Sequence, residues 1–310
     1  MLNLRPHQVL AEETAGKDRH FLVIGDYGSD EAPQTAVAQG MTHYARKLAL
    51  KPDGLFLLGD NFYSQGLDRV DSLRWRTGFE AMYPADVFPG ACYAILGNHD
   101  YHDNKGGERA QLAYAKRGGT RWTMPHKWYR QEFGDLITLL ALDTNLRSLS
   151  GTIHPKIKIP QASLSATEEA EQWAWLEAEL AKPRGRFTVV AGHHPVYSNG
   201  MHGDSKELVE KLAPMLQRHG VHLYLCGHDH DLQHLEFEGQ KTSFVISGGG
   251  GARIREAKNL ERKTPYFNAV YGFSHLQANA DRLLLRHLDA NGNQIHSLEK
   301  KPDFSWKTGV

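Results

Sequence analysis

The stretch Val221-His222-Leu223-Tyr224-Leu225-Cys226-Gly227-His228-Asp229-His230 is an apolar run that ends in glycine and then in residues able to bind a metal. Four earlier runs end in the same way, at Gly25-Asp26, Gly59-Asp60, Gly97-Asn98 and Gly192-His193. Short, nearly continuous apolar runs are typical of strands that are covered on both faces. Because ligands of open α/β sheets gather at the carboxyl ends of strands, we expect the five strand ends to converge on one site.

The remaining pattern alternates strands with helices. Seven apolar runs are predicted strands: His20–Gly25, Gly54–Gly59, Ala91–Gly97, Leu136–Leu142, Phe187–Gly192, Val221–Gly227 and Thr242–Ser247. Helices are predicted at Thr167–Lys182, with a capping box at Ser165 and Glu168, and at Ser205–His219, with a kink at Pro214. The fold class is therefore α/β, with two mixed β-sheets packed as a sandwich and flanked by helices.

The five strand ends lie between residues 26 and 230, so the site needs most of the chain. This favours a single domain over residues 1–310, with residues 1–16 as an N-terminal arm. Residues 270–300 alternate in polarity and turn at Asn291-Gly292, which predicts antiparallel C-terminal strands. The polar stretch Arg147–Gln161 is predicted to be a long loop near the strand ends, able to act as a lid.

Composition excludes several classes of protein. The chain has 36 Lys and Arg residues against 36 Asp and Glu residues, so its net charge gives no indication of nucleic-acid binding. No apolar run approaches the roughly 18 residues of a membrane span, and the first residues lack the apolar region of a signal peptide. The two cysteines, Cys92 and Cys226, lie in different predicted strands and are expected to be buried and unbridged.

The donors at and near the strand ends define a candidate metal site. They are Asp26, Asp60, Tyr63, Asn98, His193, His228 and His230. Seven donors exceed the four of a structural zinc site, and with one bridging carboxylate they suit two adjacent metals. A tyrosine with a pKa near 10 binds only an ion acidic enough to remove its proton, which favours iron(III).

In order and spacing, the five motifs resemble those of the purple acid phosphatases, most closely the tartrate-resistant (type 5) branch of the calcineurin-like metallophosphoesterase superfamily. The resemblance implies the four-layer fold of that superfamily. It implies that iron(III) is bound by Asp26, Asp60, Tyr63 and His230. It implies that a divalent metal, Fe, Zn or Mn, is bound by Asp60, Asn98, His193 and His228. Two histidines, His99 and His202, fall on the positions that contact the phosphate, and either one would protonate the leaving oxygen.

These assignments predict an acid phosphatase that hydrolyses small phosphate monoesters by attack of a metal-bound hydroxide. Three alternatives stay open: a phosphodiesterase acting on nucleotides or phospholipids, a redox-active iron protein, and a catalytically silent binding module. The protein is expected to be a monomer. The resemblance favours a secreted or periplasmic location, and a cytoplasmic one stays open because the segments near Asn145–Arg147 and Asp204–Lys206 lack the cysteines of a disulfide found in mammalian type 5 enzymes.

Overall fold

The computed structural model describes residues 18–64, 67–103, 105–150, 162–259 and 261–309. Its strands, numbered in chain order, are β1 (Arg19–Ile24), β2 (Gly54–Leu57), β3 (Ala91–Ala94), β4 (Trp122–Thr123), β5 (Tyr129–Phe133), β6 (Ile137–Ala141), β7 (Phe187–Ala191), β8 (Leu223–Cys226), β9 (Leu232–Leu235), β10 (Ser243–Ser247), β11 (Tyr266–Asn268), β12 (Gly272–Ala278), β13 (Leu283–Asp289), β14 (Gln294–Lys300) and β15 (Trp306–Gly309). The predicted N-terminal arm, residues 1–16, lies outside the described residues, as do residues 151–161 of the predicted lid.

Two mixed sheets form from these strands. One has the order β15-β14-β13-β12-β1-β2-β3-β4, and the other has the order β11-β9-β10-β8-β7-β6-β5. Strands β1 to β4 are parallel to one another, whereas β12 pairs antiparallel with β1 and begins an antiparallel run to β15. In the second sheet β6, β7, β8 and β10 are parallel, and β5, β9 and β11 are antiparallel to their neighbours.

Helices cover the outer face of each sheet. They are α1 (Ala32–Lys47), α2 (Asn98–His102), α3 (Gly107–Lys116), α4 (Ala166–Ala181) and α5 (Ala213–His219). Helix α4 begins at the predicted capping box, in which the hydroxyl of Ser165 accepts a 3.2 Å hydrogen bond from the Glu168 N–H. The helix predicted over 205–219 is interrupted by a π-helical turn, Leu208–Leu212, because Pro214 has no N–H with which to continue an α-helical ladder.

Alternation of buried side chains explains why the strands are apolar throughout. In β1, Phe21 and Val23 face the second sheet, whereas Leu22 and Ile24 pack beneath α1. In β7, Val189 faces inward and Val190 packs toward α4 and α5. The result is four layers of helices, sheet, sheet and helices, which confirms the predicted fold class.

Several elements were not expected from the sequence. Strands β4, β5, β9, β11 and β15 are short or lie at or next to a sheet edge, where one face stays polar and the apolar pattern is weak. Cys92 and Cys226 are both buried and unbridged, as predicted. Within the described ranges, no helix has the length and apolarity needed to cross a membrane.

Candidate metal centre

The candidate ligands follow parallel strands, most of them on loops and Asn98 at the first residue of helix α2. Asp26 follows β1, Asp60 follows β2 and Asn98 follows β3, in three neighbouring strands of the first sheet. His193 follows β7 and His228 follows β8, in two neighbouring strands of the second sheet. The carboxyl edges of the two sheets therefore meet, and the structure brings all seven predicted ligands together.

One set of donors surrounds the hydroxyl of Tyr63. This hydroxyl lies 2.9 Å from Oδ2 of Asp60, 3.2 Å from Oδ1 of Asp26 and 3.3 Å from Nε2 of His230. Nε2 of His230 lies 3.5 Å from the same Asp26 oxygen. These are the four residues predicted to bind iron(III).

A second set of donors surrounds Nε2 of His193. This nitrogen lies 3.2 Å from Oδ1 of Asn98, 3.3 Å from Nδ1 of His228 and 3.4 Å from Oδ2 of Asp60. Donors bound tetrahedrally to one ion at about 2.1 Å lie roughly 3.4 Å apart, so both sets have the spacing of a metal site. Oδ2 of Asp60 belongs to both sets.

Backbone carbonyls fix the orientation of two imidazoles. Nδ1 of His193 donates to the Leu58 carbonyl at 2.8 Å, and Nδ1 of His230 donates to the Arg253 carbonyl at 2.8 Å. In each neutral ring Nε2 then has no proton, and its lone pair points at atoms that are themselves hydrogen-bond acceptors. Because lone pairs repel one another unless a cation lies between them, the donor chemistry fits bound metal.

The pKa shifts of His193 and Tyr63 show that the site favours bound positive charge, either as protons or as a metal ion. Burial lowers the pKa of His193, but the charge of Asp60 and their hydrogen bond outweigh it and raise that pKa to about 10. Burial, together with the carboxylates of Asp26 and Asp60, raises the pKa of Tyr63 well above its ordinary value. The phenol thus keeps its proton unless a strongly Lewis-acidic ion replaces it.

Left-handed backbone marks three of the ligand positions. Asp26, Asp60 and His228 have φ angles of 56°, 50° and 69°, a conformation that costs about 1–3 kcal/mol for each residue that is not glycine. The neighbouring glycines permit the close approach of the loops. A Cβ on Gly227 would lie 2.3 Å from Oδ2 of Asp26, and one on Gly248 would lie 2.0 Å from the Asp229 carbonyl oxygen. The backbone of the glycine run at 248–251 therefore packs directly against the backbone of the ligand loops.

A buried carboxylate holds two of the ligand loops together. Asp100 accepts hydrogen bonds from the backbone N–H groups of Gly97, Asn61 and Phe62, at 2.8, 3.2 and 3.1 Å. The side chain of Gln111 donates to it at 2.8 Å. This network joins the loop after β2 to the segment after β3. It thereby fixes the candidate ligands next to the bonded residues, Asp60 and Asn98.

The two histidines assigned to the phosphate each contact the ring of a different candidate ligand. His99 packs against Tyr63 in a tilted arrangement with ring centroids 4.4 Å apart, and its Nδ1 bonds Asp103 at 2.8 Å. His202 packs against His228, also tilted, with centroids 4.0 Å apart, and its Nδ1 donates to Asp229 at 2.7 Å. Both side chains are partly exposed, so a ligand bound beside the donor sets can reach either ring.

Two further residues contribute to the site: His194, for which the sequence left open a role in orienting a ligand or a place at the pocket rim, and Arg255, which was not assigned from the sequence. His194 is buried beside His228, with centroids 4.4 Å apart, and bonds the hydroxyl of Thr144, so it supports a ligand ring. Arg255 places Nη1 2.7 Å from Nε2 of His202. The available signal for Arg255 was the cluster of basic residues that follows the glycine run.

Comparison with known proteins agrees with this geometry. The family model described as calcineurin-like phosphoesterase matches residues 19–232. The chain is 31% identical over 301 residues to tartrate-resistant acid phosphatase type 5 of Homo sapiens, covering 89% of this chain and 88% of the relative. It is 33% identical over 243 residues to purple acid phosphatase 17 of Arabidopsis thaliana, covering 76% of this chain and 69% of the relative.

Solved structures share the fold at lower identity. GAP50, the anchor in the inner membrane complex of Plasmodium, has a TM-score of 0.76 at 20% identity and covers 92% of this chain and 89% of its own. Purple acid phosphatase PPD1 from yellow lupin (Lupinus luteus) seeds has a TM-score of 0.66 at 17% identity and covers 91% of this chain and 53% of its own. An anchor and a phosphatase share this fold, so function must be argued from the site.

The fold, the family match and the paired donor sets define a calcineurin-like phosphoesterase. Within that family, the chain belongs to the purple acid phosphatases, as the five sequence motifs predicted. Family membership implies a dimetal centre.

Proposed function

We propose that this protein is an acid phosphatase that hydrolyses phosphate monoesters at a binuclear metal centre. The observation that carries the proposal is the position of Asp60, whose Oδ2 lies 2.9 Å from the Tyr63 hydroxyl and 3.4 Å from Nε2 of His193. One carboxylate oxygen thus adjoins two sets of converging lone pairs. A single structural metal needs only one such set.

In this proposal Asp26, Tyr63 and His230 bind iron(III), and Asn98, His193 and His228 bind a divalent ion, Fe, Zn or Mn. Asp60 belongs to both groups of ligands. When bound, the two ions supply Lewis-acid activation of water and neutralise charge on the phosphoryl group. The phenol of Tyr63 supports iron(III) because its raised pKa requires an ion of high charge to displace the proton.

Two histidines complete the proposed chemistry. His99 and His202 orient the phosphate by hydrogen bonds from their ring nitrogens. Asp103 and Asp229 each hold Nδ1 of one ring, so Nε2 is the atom that faces the substrate. His202 protonates the leaving oxygen, because it lies on a loop between Gly200 and Gly203 rather than at a strand end, and a residue on such a loop can reach over bound substrate. His99 is the alternative acid.

Assays of the purified protein test the proposal. Elemental analysis should find two metals per chain, and hydrolysis of p-nitrophenyl phosphate from pH 4 to 8 should be fastest in the acid range. Bis-p-nitrophenyl phosphate, a diester, should be hydrolysed much more slowly. Faster turnover of the diester would select the phosphodiesterase alternative, and a coloured protein without turnover would select the redox alternative.

The remaining assignments are part of the same proposal. We propose that residues 1–310 act as a single domain, that the protein is a monomer, and that its substrates are small phosphorylated molecules rather than nucleic acids. An enzyme active in acid suits a secreted or periplasmic location. Size-exclusion chromatography with light scattering and cell fractionation test these assignments directly.

A further inference from the structure

The segment between β10 and β11 brings positive charge to the proposed active site. Residues 253–263, here called the basic segment, contain five basic side chains and two acidic ones. Its start lies beside the metal centre, because the Arg253 carbonyl accepts from Nδ1 of His230 at 2.8 Å. The Ala252 N–H, directly before it, donates to the Asp26 carbonyl at 2.9 Å.

The other end of the basic segment is fixed to the loop that carries His202. The Asn199 carbonyl accepts from the backbone N–H groups of Lys258 and Asn259, at 2.9 and 3.1 Å. Arg262 forms two hydrogen bonds with the carboxylate of Asp204, at 2.6 and 2.7 Å. The segment is thus held at both ends, and Arg255 lies between them in contact with His202.

The contacts of Arg255 differ from those of Arg262. Nη1 of Arg255 lies 2.7 Å from Nε2 of His202, a neutral acceptor because Nδ1 of that ring donates to Asp229. Among the described residues, no carboxylate lies within ion-pair distance of the Arg255 guanidinium, whereas Arg262 is neutralised by Asp204. Arg255 interacts with the buried carboxyl group of Asp231 only at longer range. A guanidinium fork that has no ion-pair partner in the described part of the chain has the chemistry to bind an anion.

The charge of the metal centre decides which anion this is. Three anionic donors, Asp26, Asp60 and Tyr63, would leave iron(III) and a divalent ion with an excess of about two positive charges, or about one with the attacking hydroxide bound. That excess is available to the phosphoryl group that reacts. The charge of Arg255 is additional to it, and the contact with Nε2 of His202, the proposed acid, places that charge on the leaving-group side in this proposal.

We propose that Arg255 is a substrate-binding, specificity-determining residue that binds a second anionic group, a phosphate or a carboxylate, on the leaving-group side of the phosphate monoester. The inference rests on the proposed phosphatase function and names its substrate class. In the free enzyme Arg255 contacts His202. When an anionic leaving group binds, the guanidinium transfers to that group, and Nε2 of His202 is then free to take up from water the proton that it donates to the leaving oxygen.

The test compares ligands that differ in the second anionic group. Isothermal titration of the metal-loaded protein with methylenediphosphonate, which has two anionic groups, is compared with titration of methylphosphonate, which has one. Arg255→Ala should weaken binding of the diphosphonate about 10- to 100-fold, the range for a hydrogen bond between charged groups, and should change methylphosphonate binding less than about threefold. Arg255→Lys should lie between, because it keeps the charge and loses the fork.

Kinetics supply the second readout. For pyrophosphate and for phosphoenolpyruvate, Arg255→Ala should raise KM more than it changes kcat, and the rise in KM should be several times larger than the rise for p-nitrophenyl phosphate. The two anionic substrates distinguish a second phosphate from a carboxylate. Lys258→Ala is the matched control, because it removes one charge from an exposed side chain of the same segment.

Three results would overturn the inference. Equal weakening of both phosphonates would assign Arg255 to the scissile phosphoryl group. If Lys258→Ala weakened diphosphonate binding as much as Arg255→Ala does, the effect would come from the overall positive charge of the basic segment and not from Arg255 itself. Unchanged diphosphonate binding by Arg255→Ala would remove Arg255 from the site. A wild-type protein that binds two metals and hydrolyses none of the monoesters would instead refute the proposed function.

Discussion

The hydroxyl of Tyr63 lies 2.9 Å from Oδ2 of Asp60, and the two residues are separated by only two others in the chain. The loop after β2 turns back at once, because Asp60 has left-handed φ and the Tyr63 N–H bonds the Gly28 carbonyl at 2.9 Å. One short loop therefore supplies both the shared carboxylate and the phenol. Because a phenol is among the proposed ligands, iron bound at this site should be detectable by its visible absorption.

The first prediction is that the iron-loaded protein is coloured and that Tyr63→Phe removes the colour. A phenolate bound to iron(III) gives a charge-transfer band in the visible spectrum, and phenylalanine cannot supply it. Tyr27→Phe is the control, since the buried Tyr27 hydroxyl donates to Asn61 and lies outside the donor sets. A visible band that persists in Tyr63→Phe with iron still bound would exclude Tyr63 as a ligand.

The second prediction concerns the shared carboxylate. Asp60→Ala should lose both metals, because Oδ2 adjoins both donor sets. Asp26→Ala should loosen chiefly the iron, and His193→Ala chiefly the divalent ion, because each belongs to one set. Elemental analysis after dialysis measures the difference. Retention of two metals per chain by Asp60→Ala would show that this residue does not bridge them.

The third prediction concerns the leaving group. His202→Ala should slow an alkyl phosphate by about 10² to 10⁴, the usual contribution of general acid catalysis, and should slow p-nitrophenyl phosphate far less because that leaving group needs little protonation. Both metals should stay bound. Equal slowing of the two substrates would assign His202 to phosphate binding, and His99→Ala would then show the leaving-group dependence.

The fourth prediction concerns stability in acid. Burial lowers the pKa of His287 to about 3 and that of His296 to about 4. In the unfolded chain histidines bind protons near pH 6.5, so between about pH 6.5 and pH 4 the unfolded state holds more protons than the native state. The free energy of unfolding should therefore fall with decreasing pH, by up to about 1.4 kcal/mol per pH unit for each histidine.

Denaturant unfolding across this pH window checks that slope. His287→Gln should flatten it, whatever its effect on stability at neutral pH, because the buried ring that bonds Ser274 at 2.8 Å is removed. His126→Gln is the control, since His126 is exposed. An unchanged slope in His287→Gln would show that His287 does not contribute to acid lability.

The sequence by itself determined the central strands and which residues are candidate metal ligands. Central strands such as β1 and β7 bury both faces, so their residues are apolar at every position and the pattern identifies them. Polar donors that directly follow such strands lie at the carboxyl edge of the sheet, where α/β proteins bind their ligands. The edge strand β15 lacks this signal because all four of its residues are exposed.

Only the tertiary structure decided how the loops meet. The contact between Arg255 and His202 joins residues 53 apart, and that between Asp26 and the His228 N–H joins residues 202 apart. Such pairs leave no periodic pattern, because they depend on the packing of two sheets and on backbone contact at Gly227 and Gly248. Local pattern therefore determines which residues are available for chemistry, and packing between the sheets determines which of them act together.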